Sequence, residues 1–166
     1  MTRRRSYHLG HALGLLIEAS LECREFAPLS RGLISSDGSR DLQTSWKSHL
    51  DQYCTITMGT ARSAGHTTAL VKTAKEFFSK PLFVTPNEVM LRNITSVIDD
   101  LGLKEGLKEA KFKTAEQIKR NYARGVDCDA ILVDCAFGVS AGQRKAIEEH
   151  ALAVLPKHPD FCLIYV

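Results

Sequence analysis

The chain lacks any pair of cysteines at C-x-x-C spacing, any apolar run approaching the ~18–20 residues of a membrane-spanning helix, and any large excess of one charge. Its five cysteines (Cys23, Cys54, Cys128, Cys135 and Cys162) are odd in number and scattered, which excludes a disulfide framework and favours reduced thiols. Twenty-two Lys and Arg against nineteen Asp and Glu leave a net charge of +3, too small to imply nucleic acid by itself. Glycine and proline are modest, at 11 and 5 residues, so collagen-like and low-complexity chains are excluded. What is present is ordinary for a globular domain: 166 residues, 44% hydrophobic and 25% charged. A chain of that size buries enough surface to hold a core without staples.

The start, Met1-Thr-Arg-Arg-Arg-Ser6, raises the question of a targeting peptide. A secretory signal needs a continuous apolar core, and here His8, His11, Glu18, Glu22 and Arg24 interrupt it. The segment is therefore read as a helix of the mature fold, and the protein as cytoplasmic (host cytoplasm if the source is viral). Leu9, Ala12, Leu13, Leu16, Ile17 and Leu21 recur at helical spacing and predict an amphipathic helix ending near Ala27, before Pro28. Residues 28–40 read as loop, and Asp41 to Leu50 as a short helix. Together, residues 1–50 form an expected N-terminal helical segment packed on a core of residues 51–166.

From Tyr53 the pattern changes. Strands are expected at Tyr53–Met58, Pro81–Thr85, Ala110–Phe112, Ala130–Asp134 and Phe161–Val166, and helices at His66–Phe78, Asn87–Leu101, Thr114–Arg124 and Ala141–Leu155. Thr114 and Gln117 form a capping box. Strands alternating with helices, and apolar on both faces, indicate βαβ units. The expected fold class is α/β, a three-layer α/β/α sandwich around a mostly parallel sheet.

The most informative stretch is Ala61-Arg62-Ser63-Ala64-Gly65-His66-Thr67-Thr68, between an expected strand and an expected helix. A loop of small residues lets backbone N–H groups converge on an anion, and the helix N-terminus adds its dipole. Thr67, directly after the basic position, has the spacing of a hydroxyl that ligates Mg2+. A matching carboxylate should end a buried strand, and Ile131-Leu-Val-Asp134 supplies it.

On these residues the chain resembles the P-loop NTPases with RecA-like cores. Arg62-Ser-Ala-Gly65-His-Thr-Thr68 looks like the Arg-x-x-Gly-Lys-Thr-Thr form of the Walker A motif, which phage terminase large subunits and some superfamily 2 helicases carry. The resemblance implies a RecA-like sheet, ATP with Mg2+ as cofactors, a nucleotide held by Arg62, Ser63, Ala64, Gly65, His66, Thr67 and Thr68, and a metal held by Thr67 and Asp134. Three positions depart from the family pattern. His66 stands where the family has Lys, and a neutral imidazole cannot replace a permanent ammonium. Cys135 stands where the family has a water-polarising Glu. Gly59 lies one residue too far from Gly65 for the usual glycine spacing.

Three functions stay open at this point. The first is a nucleotide-binding domain with degenerate motifs, a phage-type DNA-metabolism or packaging-related ATPase relative with weak or no hydrolysis. The second is a non-catalytic interaction protein of viral origin. The third is an active DNA-dependent ATPase, its missing carboxylate supplied by Asp127 or Asp129. Gln43 could read adenine, and Trp46 is more simply a packing anchor. Lys104–Lys113 with Lys119, Arg120 and Arg124 could offer DNA a basic edge, or form a solvated surface. The RecA-like order would place Phe161–Val166 between the Tyr53–Met58 strand and the Asp134 strand and leave Tyr53–Met58 at an edge. A second copy of the chain is the expected cover, the N-terminal segment the other.

Overall fold

The computed structural model describes residues 2–25, 46–59, 65–121, 123–158 and 160–166. Five strands, β1 (Thr55–Thr57), β2 (Pro81–Thr85), β3 (Lys111–Thr114), β4 (Ala130–Val133) and β5 (Cys162–Tyr165), form one sheet in the order β1-β5-β4-β2-β3, and every neighbouring pair is parallel. The helices are α1 (Thr2–Glu25), α2 (His66–Phe77), α3 (Glu88–Asp100), α4 (Ala115–Lys119) and α5 (Ala141–Val154).

Alternation along the strands divides the core in two. Ile56, Phe83, Leu132 and Ile164 face one side, where Leu13 and Ile17 of α1, Leu70 and Val71 of α2 and Ile94 and Ile98 of α3 pack on them. Leu82, Val84, Ile131, Val133 and Leu163 face the other, under Ala115 and Ile118 of α4 and Ile147, Ala151 and Val154 of α5. The result is three layers, helices on both faces of a parallel sheet, which explains why β2, β4 and β5 are buried along their whole length. The connections β1-α2-β2 and β2-α3-β3 use the first face, while β3-α4-β4 and β4-α5-β5 return along the sheet and use the second. A single crossover handedness requires that change of face when direction reverses. β5 does lie between β1 and β4.

Several boundaries differ from the sequence reading. The first helix starts at Thr2 rather than Leu9, and its outward face carries Leu16, 44% exposed, which helical spacing alone had turned inward. Its inward face is lean instead. A Cβ on Gly10 would lie 3.9 Å from Ala69, and one on Gly14 would lie 3.5 Å from the Phe77 ring, so these two glycines bring α1 close to α2. Strand β1 is shorter than Tyr53–Met58 because Leu50–Cys54 form a π-helical turn, held by a 2.9 Å hydrogen bond from Thr55 Oγ1 to the Leu50 carbonyl. That turn buries Leu50 and Cys54 together on the second face. Helix α4 stops at Lys119, short of Arg124, because Asn121 turns left-handed (φ 63°), a conformation Asn tolerates and uses to end helices. Its start is as read: the Thr114 hydroxyl accepts from Gln117 N at 3.2 Å, and Gln117 Oε1 accepts from Thr114 N at 3.0 Å. Among the described residues, no helix is long and apolar enough to cross a membrane.

Candidate functional site at the strand C-termini

The chain leaves β1 and β4 toward opposite faces of the sheet, and such parting loops open a crevice at the carboxyl ends of parallel strands. Two segments meet there. Gly65, left-handed at φ 77°, ends the loop after β1 and begins α2 without a side-chain cap. The first-turn residues His66, Thr67 and Thr68 therefore keep backbone N–H groups with no intrahelical partner. Asp134 follows β4 directly; its N–H donates to the Val84 carbonyl at 2.9 Å, which pins the residue to the end of β2.

Thr67 does not cap its helix. Its Oγ1 donates to Asp134 Oδ2 at 2.8 Å, across a sequence separation of 67. Asp134 is 1% exposed, and its second oxygen, Oδ1, accepts no hydrogen bond. His66 Nε2 stands 3.3 Å from that Oδ1 and 3.4 Å from Cys135 Sγ, while its Nδ1 is buried with no partner among the described residues. Cys135 itself is left-handed (φ 56°, ψ 49°), a conformation that strains a non-glycine residue. The turn it makes brings Ala136 N to the Val166 carbonyl at 2.9 Å and fastens the segment after β4 to the end of β5.

Beside His66 opens a cavity of about 280 Å3, bounded by Thr57, Met58, Phe137, Arg144 and Tyr165 among others. The Arg144 guanidinium lies 4.3 Å from the Tyr165 ring centroid. Burial pushes the Tyr165 phenol up to about 12, so it stays protonated at neutral pH.

No family model, curated protein or solved structure matches this chain. Of the residues singled out in the sequence, Gly65, His66, Thr67, Thr68 and Asp134 come together, while Arg62, Ser63, Ala64 and Gln43 lie outside the described residues. Trp46 packs against the core of the second face and sits edge-on to His49, with ring centroids 6.0 Å apart. Asp127 and Asp129 stand at the opposite end of β4 and cannot supply a carboxylate to this crevice. Asp127 pairs with Lys80 (3.0 Å) and His158 (2.6 Å), and Asp129 accepts from Ser79 N (2.7 Å) and Lys80 N (3.0 Å). The basic edge is partly neutralised, Lys104 by Asp99 and Arg120 by Glu116, each pair at 2.9 Å. The sequence marks Cys135 as a reduced thiol standing in place of a Glu, with no sign of a partner. Its contact with His66 spans 69 positions, and no spacing rule signals it.

Proposed function

We propose that the chain is a nucleotide-binding domain of the P-loop kind, RecA-like in plan, related to phage terminase and helicase ATPase cores and having weak or no hydrolysis. The observation that carries this reading is the 2.8 Å bond between Thr67, in the first turn after β1, and Asp134, at the end of β4, with β5 between the two strands. A phosphate chain would rest on the backbone N–H groups at the start of α2, where the helix dipole favours an anion. The hydroxyl and carboxylate are hard oxygen donors of the type Mg2+ takes, and the unpartnered buried Oδ1 of Asp134 leaves acceptor capacity for it. When bound with the nucleotide, Mg2+ would neutralise phosphate charge.

Two features weigh against turnover. Cys135 brings no carboxylate to activate water, and His66 turns its Nε2 to Asp134 and Cys135, so no permanent cation is offered to the phosphates by that position. Calorimetry with Mg–ATP tests the reading. Thr67→Ala and Asp134→Ala should each weaken Mg2+-dependent binding at least tenfold, and unchanged affinity in both variants refutes it. A phosphate-release assay with and without DNA should show little or no hydrolysis.

A further inference from the structure

Two side chains that fit the nucleotide reading poorly, His66 and Cys135, join Asp134 in an arrangement that fits another ligand. We propose that His66 Nε2, Asp134 Oδ1 and Cys135 Sγ form a binding site for a borderline divalent cation of the Zn2+ class, with its fourth coordination position open. One donor atom from each residue lies within 4.8 Å of the other two. Bonds of about 2.0–2.3 Å at tetrahedral angles set ligand atoms about 3.3–3.6 Å apart. The observed separations, 3.3 Å from imidazole nitrogen to carboxylate oxygen and 3.4 Å from nitrogen to sulfur, match those edges.

A nucleophilic relay is the competing explanation of a Cys beside a His, and the geometry opposes it. In a relay the thiol and the orienting carboxylate address different ring nitrogens. Here both address the same Nε2, which has one lone pair or one proton to give, whereas Nδ1 contacts neither. Three donor atoms within 4.8 Å of one another are within reach of a single cation. The carboxylate is already aimed: Thr67 holds Oδ2 at 2.8 Å and leaves the 1%-exposed residue's Oδ1 without a hydrogen bond, and such outer partners orient metal ligands. The left-handed backbone of Cys135 accounts for how consecutive residues place both side chains at one centre, since a regular strand would send them to opposite faces. A mixed nitrogen, oxygen and sulfur set selects Zn2+ over Mg2+, which prefers oxygen alone. The thiol gives up its proton on binding, so metal uptake releases a proton.

The cation site and the nucleotide reading share Asp134 but differ at His66 and Cys135, and one experiment separates them. Co2+ is titrated into the reduced protein without nucleotide or Mg2+, and visible and near-ultraviolet absorption are recorded. One equivalent should produce tetrahedral d–d bands together with a thiolate-to-cobalt charge-transfer band, and Zn2+ should displace both. Cys135→Ser should remove the charge-transfer band and His66→Ala should weaken binding by on the order of a hundredfold, while Cys23→Ser changes neither. Circular dichroism checks that each variant is folded. Absence of a thiolate band, or bands that survive both Cys135→Ser and His66→Ala, overturns the site. Cys135→Ser should leave Mg–ATP affinity as it was, so loss of the metal site and loss of the nucleotide site are read independently.

Discussion

At the amino ends of β2 and β4, Asp129 takes backbone N–H groups of Ser79 and Lys80 on both carboxylate oxygens, and Asp127 is shared by His158 and Lys80. At the carboxyl ends of the same sheet, Asp134 keeps one oxygen without a hydrogen bond, and His66 keeps one nitrogen without one among the described residues. Both ends use Asp and His. One end satisfies them and ties strands to loops; the other buries them more deeply and leaves their valences open. A buried polar atom without a partner destabilises by about 1–3 kcal/mol.

Breaking the satisfied end should have the largest effect on stability. Asp129→Ala removes the charge-assisted bonds to the Ser79 and Lys80 N–H groups, and urea denaturation should show a loss of about 2 kcal/mol with ligand binding unchanged. The open end should behave in the opposite sense. Asp134→Asn replaces a buried carboxylate that has one oxygen without a hydrogen bond, keeps an acceptor for Thr67, and should raise stability by about 1 kcal/mol while abolishing metal and nucleotide binding. A loss of stability at Asp134 equal to that at Asp129 would erase the contrast. Cys135→Gly should be smaller. It relieves a left-handed strain of about 1–2 kcal/mol but loosens the unfolded chain by about 0.5–1 kcal/mol, for a net gain of about 0.7 kcal/mol at the middle of those ranges, and it removes the thiolate band.

The smallest effect sharpens the comparison through pH. Hydrogen bonds from His158, then Lys80, hold the Asp127 carboxyl down at about 2, against an ordinary 3.8. Its folded-state value lies below its unfolded one, so its contribution is fully present above about pH 4 and is lost as pH falls through about 2. Asp127→Asn should flatten that part of the acid limb in a series of denaturation curves. An unaltered limb would mean that the exposed pair contributes nothing to folding.

Much of the fold was legible because local signals agreed with it. The apolar runs of β2, β4 and β5 and the capping boxes or caps at Thr114 and Asn87 mark their elements in the chain itself. Ser140 caps α5 in a second capping box with Gln143. Thr67 and Asp134 were legible by their place after a strand. What was hidden depends on tertiary contact. Nothing in Leu50–Cys54 separates a π-helical turn from a strand until both faces of the sheet are known. Likewise, the meeting of His66 with Cys135 follows from strand order and from one left-handed residue, neither of which a linear pattern records.

Strand order also bears on how the molecule is assembled in time. Among the described residues β1 pairs with β5 alone: Thr55 pairs with Leu163, more than a hundred residues further along. The pairs β2–β3, β2–β4 and β4–β5 can close successively as the chain lengthens, but the strand before the Gly65 turn has no neighbour among the described strands until β5 exists. Contacts of such long sequence separation are slow to form. The crevice that joins Thr67 to Asp134 is therefore expected to be among the last parts of the protein to acquire its native shape, after the layers on either side of β2 and β4 have condensed.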